Sequence, residues 1–213
     1  MKEFFTLKKM LFALITLLIW TNSFAQISDL RTKLQHIADS HKVTIGFSFL
    51  DLQNSDTLTI NGSKHLPMQS VYKFHLALAI LNQVDRGELK LNQKIFIKKS
   101  DLVANTWSPI REKYPNGEIY LTLSQILAFT VSQSDNIGCD ILFDLIGGPV
   151  AVDQYIHSIG IKDVAIVKTE SEMHQDEQAQ FTNWSTSVAA TDLLKLFYSG
   201  ILLSKKSNHI DIQ

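Results

Sequence analysis

The spacing of apolar residues along the first third of the chain predicts a helix followed by a β-hairpin. Apolar residues recur at helical spacing over 28–40, where Ser28 can cap the first turn. Apolar and polar residues then alternate over 44–50, and a polar turn leads into a second short apolar segment at 57–60. These two segments should pair as antiparallel strands of a hairpin that ends at Asn61-Gly62.

The rest of the chain is predicted to be mostly helical. The clearest helix covers 70–86, because Phe74, Ala77 and Leu81 share one face and Gly87 can stop the helix. Further helices with capping, proline or glycine signals are predicted over 122–130, 136–146, 149–159 and 186–198. The polar stretch between them, 168–183, is predicted to be a long loop. A helix, a hairpin and then mostly helices indicate the α+β class.

The N-terminal segment has the three-part pattern of a secretory signal peptide. Lysines precede an uncharged apolar run over 10–20, and small residues at Ser23 and Ala25 suit a peptidase that cuts after Ala25. The run is shorter than the roughly 20 residues that span a bilayer, although a membrane anchor is the alternative interpretation. We therefore expect residues 1–25 to be removed on export and residues 26–213 to form the folded domain.

Charge and composition favour a small-molecule partner. The chain has 20 basic and 21 acidic residues, a net charge of −1, and no basic cluster outside the signal segment, so a nucleic-acid partner is not expected. Cys139 is the only cysteine and lies in an apolar helical stretch, which is typical of packing. The histidines show no His-x-x-x-His spacing, so no metal site is predicted.

Ser70 and Lys73 form a Ser-x-x-Lys pair at the start of the clearest helix. A three-residue spacing places both side chains on one side of a helix, within reach of each other. A serine needs a neighbouring base to become a nucleophile, and free N–H groups at a helix start can stabilise an oxyanion. The pattern is common, and a surface serine near an ordinary lysine is the alternative.

Ser134-Asp135-Asn136 lies between two predicted helices. Alone it would be interpreted as a group of capping residues, since Ser, Asp and Asn are preferred at N-caps. Together with Ser70-x-x-Lys73, in this order, it matches two of three motifs of class A β-lactamases and penicillin-binding proteins; the third is Lys-Thr-Gly.

Longer blocks extend this resemblance over essentially all of residues 26–205. The segments 67–74, 106–110 and 131–140, and the pair Glu170-x-x-x-His174, resemble the PER- and VEB-type extended-spectrum subgroup of the class A serine β-lactamases. The resemblance implies the β-lactamase/transpeptidase-like α+β fold. It also implies a periplasmic hydrolase of β-lactam antibiotics that works as a monomer without a cofactor or stable membrane association.

The resemblance also implies a role for each motif residue. Ser70 is the nucleophile that opens the β-lactam ring, with its backbone N–H as half of the oxyanion hole, and Lys73 accepts or relays the proton. Ser134 passes a proton to the departing lactam nitrogen. Asn136 holds Lys73 and the amide side chain of the drug, and Asp135 supports the loop.

Three further roles follow from the same resemblance. Glu170 activates the water that hydrolyses the acyl-enzyme, and Trp107 lines the entrance as an aromatic wall. His174 stands where most class A members have an asparagine that helps hold that water; a loop histidine without a role is the alternative. The family's Arg–Asp pair, which holds this loop, has no evident counterpart near Lys168 and 178–179.

No Lys-Thr-Gly tripeptide follows Asn136 in the 213 residues. The resemblance therefore predicts that this polypeptide is incomplete at its C-terminus, with an all-α lobe largely present and an antiparallel sheet lobe lacking its C-terminal strands. We expect such a polypeptide to fold poorly and to have little activity. A penicillin-binding transpeptidase, which would not need Glu170, and a non-catalytic degenerate fragment are the alternative functions.

Overall fold

The computed structural model describes residues 27–208, which form two compact units that divide between Gly62 and Ser63. The signal segment predicted over 1–25 lies outside the described residues. Within 27–208, no helix is both long and apolar enough to cross a membrane.

The first unit consists of one helix and one hairpin. Helix α1 covers 27–40, and strands β1 (Phe47–Leu50) and β2 (Thr57–Ile60) pair in antiparallel register. Ala38, Leu58 and Ile60 are buried and form its small core, because β2 turns alternate residues inward. The predicted helix and hairpin are confirmed. The predicted cap at Ser28 is wrong, since residue 27 is already helical.

The second unit contains the remaining elements. Helices α2 (Tyr72–Asp85), α3 (Pro109–Lys113), α4 (Leu123–Ser132), α5 (Asn136–Ile146), α6 (Pro149–Ser158), α7 (Glu170–Gln175), α8 (Ser187–Tyr198) and α9 (Lys205–Asn208) follow in chain order. Strands β3 (Leu66–Pro67), β7 (Trp184–Ser185) and β6 (Val164–Ala165) form one antiparallel sheet in that order, and β4 (Lys94–Ile97) pairs with β5 (Ile119–Thr122). The α+β class is confirmed. Among the described strands, β1 and β2 pair only with each other.

Helix α2 is the centre of the second unit. Tyr72, Leu76, Leu78 and Ile80 are all at most 1% exposed, so the helix is buried on more than one side. The sequence predicted one apolar face for this helix, and the buried surface of the helix is wider than that face. A helix that is apolar around most of its circumference belongs in a core rather than at a surface.

The helix boundaries follow the capping residues. The Thr122 hydroxyl accepts a hydrogen bond from Gln125 N–H, and the Thr122 N–H donates to the Gln125 side-chain oxygen, which starts α4 as predicted. Helix α5 has the predicted bounds and ends at Gly147, whose φ of 94° suits glycine. The Thr186 side chain caps the start of α8 by accepting a hydrogen bond from Ala189 N–H.

The predicted loop over 168–183 is only partly a loop. It contains α7 and a 3-10 segment, Glu177–Thr182. Helix α7 forms because Thr169 and Glu172 make a reciprocal capping box. The sequence contains this Thr-x-x-Glu pattern. It was not interpreted as a helix start, because the surrounding residues lack apolar periodicity.

Candidate active site

Ser70 lies in a tight turn at the base of the buried helix α2. The 3-10 turn Gln69–Val71 leads directly into the helix, and Gln69 has a left-handed φ of 46°. Ser70 is exposed, whereas Lys73, one turn further on, is 2% exposed. The turn therefore presents a hydroxyl to solvent above a buried amine.

The Lys73 amine is the centre of a polar cluster. Its Nζ lies 3.3 Å from Ser70 Oγ, 3.2 Å from Ser134 Oγ, 2.9 Å from the Ser134 carbonyl oxygen and 2.5 Å from Asn136 Oδ1. Glu170 Oε1 is 3.0 Å away, with side-chain exposures of 3% for the lysine and 14% for the glutamate. A lysine Nζ carries at most three N–H bonds, so its five oxygen neighbours share them. The amine is thus placed to exchange protons with either serine or with the carboxylate.

Ser134 completes a chain of hydroxyls. Its Oγ donates to Ser70 Oγ at 2.9 Å. The residue has a left-handed φ of 57°, a conformation that costs a non-glycine residue about 1 kcal/mol and needs support from its surroundings.

Asp135 supplies that support. It is fully buried and accepts hydrogen bonds from Ser108 Oγ, from Ile110 N at 2.6 Å and from Gly138 N at 2.7 Å. It therefore caps α5 and ties α3 to it, away from the reactive groups. This geometry agrees with the expectation that Asp135 supports the loop.

Asn136 joins the cluster to the segment before α3. Its side-chain amide donates to Thr106 Oγ1 at 2.9 Å, and its backbone N–H donates to the Trp107 carbonyl at 3.0 Å. The Trp107 indole N–H donates to the Gln133 carbonyl at 2.8 Å, which leaves the side chain 56% exposed. Trp107 is therefore held beside the cluster without belonging to it.

Glu170 is positioned by the first turn of α7 and by Asp140 on α5. Asp140 accepts hydrogen bonds from the backbone N–H groups of Glu170 and Ser171 at 2.8 and 2.9 Å. These bonds satisfy helix-terminal donors that would otherwise lack partners. Helix α5 thus fixes the start of α7 and, with it, the carboxylate that meets Lys73.

The Asn183 side chain joins the two ends of the segment that carries Glu170, because it bonds to the backbone of residues 167–168. It is fully buried; its Oδ1 accepts from Val167 N and Lys168 N, and its Nδ2 donates to the Lys168 carbonyl. Lys168 forms an ion pair with Glu172 at 2.8 Å rather than with a residue at 178–179, and the Asn183 amide holds the ends of the segment together. Sequence reasoning missed Asn183, Asp140 and Thr106, which all act through long-range contacts.

His174 lies in a pocket next to the cluster. The pocket has a volume of about 200 Å³, and its lining includes Glu170, Asn136, Asp140 and His174 but neither Ser70 nor Lys73. His174 itself is exposed. The structure therefore brings Ser70, Lys73, Ser134, Asn136 and Glu170 into one hydrogen-bonded group, with His174 in the adjoining space.

Asp140 should make stability depend on pH. Burial raises the pKa of Asp140 to about 6, with contributions from Glu170 and Asp144, although the two backbone hydrogen bonds oppose the shift. The folded state then takes up a proton near pH 6, whereas the unfolded chain does so near pH 4. The folded state therefore binds a proton between about pH 6 and pH 4 that the unfolded chain does not, so protonation of Asp140 increases the free energy of unfolding as pH falls through 6.

We expect the free energy of unfolding of the wild type, minus that of Asp140→Asn, to increase by about 1 kcal/mol from pH 8 to pH 5. Urea unfolding of the two proteins at several pH values measures this difference, in which other titrating groups cancel. A difference that stays constant over this range contradicts the prediction.

Comparisons with known proteins identify the family of the chain. A family model described as "Beta-lactamase enzyme family" matches residues 29–212. The extended-spectrum beta-lactamase PER-1 of Pseudomonas aeruginosa is 40% identical over 183 residues, covering 86% of this chain and 59% of PER-1. Beta-lactamase VEB-1 of the same organism is 43% identical, covering 94% of this chain and 68% of VEB-1.

Solved structures give the same result. A beta-lactamase from Chitinophaga pinensis is 49% identical with a TM-score of 0.83, covering 85% of this chain and 67% of that chain. TLA-3 extended-spectrum beta-lactamase is 44% identical with a TM-score of 0.84, covering 86% and 66% respectively. The resemblance to the PER- and VEB-type subgroup is confirmed, and the chain spans about 59% of the length of PER-1.

Proposed function

The chain belongs to the beta-lactamase enzyme family, and on that premise we propose that it hydrolyses the amide bond of β-lactam antibiotics through an acyl-enzyme at Ser70. One observation carries the proposal: a single buried amine, Lys73 Nζ, lies within 3.3 Å of oxygens of Ser70, Ser134, Asn136 and Glu170. Such a cluster links the nucleophile to the groups that each proton transfer needs.

In the acylation step, Ser70 Oγ attacks the lactam carbonyl carbon and loses its proton to Lys73. The oxyanion accepts a hydrogen bond from the Ser70 backbone N–H, which forms half of the oxyanion hole. The C–N bond then breaks, and Ser134, 2.9 Å from Ser70 Oγ, delivers a proton to the departing nitrogen. Ser134 recovers its proton from Lys73, 3.2 Å away, so the step ends with an ester at Ser70 and no net change at the lysine.

In the deacylation step, Glu170 takes a proton from a water molecule, whose oxygen attacks the ester carbonyl. The ester bond breaks, and the proton held by Glu170 returns through Lys73 to Ser70 Oγ, so that Glu170 is again a carboxylate and one water is consumed for each ring opened. The carboxylate suits this role because it is 14% exposed and borders both the Lys73 cluster and the pocket that contains His174. His174 helps to hold the water there.

Substrate recognition uses the groups around the cluster. Asn136 holds Lys73 and the amide side chain of the drug, while the exposed Trp107 forms an aromatic wall at the entrance. The similarity to extended-spectrum relatives favours activity on cephalosporins as well as penicillins. The same similarity supports an exported, periplasmic monomer that protects its host from β-lactams, with residues 1–25 as its signal peptide.

A penicillin-binding transpeptidase is the second candidate, because Ser70, Lys73, Ser134 and Asn136 would serve it equally well. The position of Glu170 favours the hydrolase. A transpeptidase would not need a carboxylate beside its lysine. The 3.0 Å contact between Lys73 Nζ and Glu170 Oε1 therefore supports a role for Glu170 as the base of deacylation.

The full-length product of the gene, incubated with nitrocefin, tests the proposal. We expect continuous hydrolysis and, in samples quenched during turnover, an acyl adduct on the peptide that contains Ser70. An adduct that persists for hours without turnover indicates the transpeptidase. Neither adduct nor turnover overturns the proposed function.

A further inference from the structure

The guanidinium of Arg111 reaches from helix α3 to the backbone of the segment before that helix. Its Nη1 donates to the Val103 carbonyl at 2.5 Å, and its Nη2 donates to the Thr106 carbonyl at 2.7 Å. Between these carbonyls lies Asn105, whose φ of 59° is a left-handed conformation that asparagine adopts more readily than most residues. A guanidinium holds its N–H groups in a fixed planar fork. Arg111 therefore fixes the separation of the two carbonyls and closes a turn over residues 103–106.

The turn 103–106 contacts the Lys73 cluster through one side chain. The Thr106 hydroxyl accepts a hydrogen bond from Asn136 Nδ2 at 2.9 Å, and Asn136 Oδ1 lies 2.5 Å from Lys73 Nζ. Val103 and Thr106 also line the pocket of about 200 Å³ next to the cluster. A shift of the turn would therefore move the Thr106 hydroxyl away from Asn136 and change one wall of that pocket.

The two contacts of the Asn136 side chain fix the orientation of its amide. The Lys73 amine donates to the oxygen end, so the nitrogen end faces the Thr106 hydroxyl, which can accept. An amide nitrogen carries two N–H groups, and the bond to Thr106 uses one of them. Because the amide is planar and held at both ends, the direction of the second N–H is also set.

We propose that Arg111 is a positioning residue, which orients the Asn136 amide through the Thr106 hydroxyl for substrates that carry an amide side chain. This inference rests on the proposed function, in which Asn136 holds the amide side chain of the drug. Within the described residues, the Arg111 side chain donates to the backbone of the turn 103–106, and its own N–H donates to Ser108 Oγ. Arg111 therefore acts on the substrate through the turn and not by contact.

The substitution Arg111→Met removes both donors and keeps an unbranched side chain. Benzylpenicillin has an amide side chain, and 6-aminopenicillanic acid has the same ring system without it. In steady-state hydrolysis by the full-length gene product, we expect kcat/KM for benzylpenicillin to fall threefold to tenfold, about the effect of losing one hydrogen bond. The value for 6-aminopenicillanic acid should change less than twofold. The ratio of the two values does not depend on the folded fraction of the enzyme, so a partial loss of folding cannot imitate this result.

Substitutions of Thr106 test the connection between Arg111 and Asn136. Thr106→Val keeps the shape of the side chain without the hydroxyl and should lower the ratio as Arg111→Met does, whereas Thr106→Ser keeps a hydroxyl and should stay within twofold of the wild type. If Arg111 acts through Thr106, the double variant of Arg111→Met and Thr106→Val should lose no more than the larger single loss. Losses that multiply in the double variant would show that the two residues act independently and would overturn the proposal.

Lys113→Met is the matched control for charge. Lys113 is an exposed cation of the same helix, and its Nζ lies 5.4 Å from the ring centroid of Tyr114 and 5.6 Å from that of Phe129. This substitution changes the net charge as Arg111→Met does and leaves the turn 103–106 in place. It should keep the wild-type ratio. An equal fall of the ratio in Lys113→Met indicates a general electrostatic effect and overturns the role of Arg111.

The outcomes distinguish the two proposals. If the wild type hydrolyses neither substrate and forms no acyl-enzyme, the proposed function fails and the role of Arg111 fails with it. If the wild type turns over both substrates and Arg111→Met keeps the wild-type ratio, only the role of Arg111 is overturned. An equal loss of kcat/KM for both substrates also overturns it, because that result describes a structural defect without an effect on the amide side chain.

Discussion

Replacing Ser70 with alanine in the full-length gene product should reduce kcat/KM for nitrocefin on the order of 10⁵-fold. The variant loses the exposed hydroxyl beside Lys73 that is the proposed nucleophile, and no ester can form there without it. The residual rate would come from polarisation of the lactam carbonyl by the surrounding donors. Steady-state hydrolysis and mass spectrometry of the quenched protein measure the loss of turnover and of the adduct.

Ser132→Ala is the control for this substitution. Ser132 is exposed at the end of α4, and its hydroxyl donates to a backbone carbonyl of its own helix. Its removal should leave turnover unchanged. Retention of more than about 1% of the wild-type rate by Ser70→Ala would show that another hydroxyl is the nucleophile, with Ser134 the first to examine.

Replacing Glu170 with glutamine should separate the two halves of the reaction. The amide cannot accept a proton from water, so deacylation should slow by about 10² to 10⁴-fold, the usual contribution of a general base. Acylation should persist, because Ser70, Lys73 and Ser134 keep their contacts with one another. A stable acyl-enzyme should accumulate, with an initial burst of one product molecule per enzyme in stopped-flow measurements.

Glu177→Gln provides the comparison, since Glu177 is an exposed acid of the same segment. It should turn over at the wild-type rate. If Glu170→Gln deacylates normally, or if Glu177→Gln is the variant that accumulates the adduct, the assignment of the base is wrong.

Local signals were sufficient to predict the longer helices and the β1–β2 hairpin, but not strands β3 to β7 or the short helices α3, α7 and α9. The bounds of α5 follow from Asp135 before its first turn and Gly147 after its last, because capping depends on neighbours in the sequence. Short-range periodicity also predicted the hairpin. It underestimated the burial of α2, since burial on several sides depends on helices that pack from elsewhere in the chain.

The site could be predicted only in part for the same reason. The Ser70–Lys73 contact follows from helical spacing, whereas the 2.5 Å contact of Lys73 with Asn136 joins residues 63 positions apart and was expected only from family resemblance. Nothing in the sequence near Asp140 or Asn183 indicates that they hold the segment carrying Glu170. Their partners lie on other elements, and no periodic pattern encodes such pairings.

The position of α5 constrains how the sequence of this chain can change. Asn136 and Asp140 are four residues apart, so one helical turn separates the side chain that meets the lysine from the side chain that anchors the start of α7. A rigid turn of helix fixes the spacing between the two halves of the reaction centre. If the proposed function holds, variation that changes the range of β-lactams accepted should therefore accumulate at exposed positions such as 103–105 and 174–178, where a substitution can reshape the rim without disturbing that spacing.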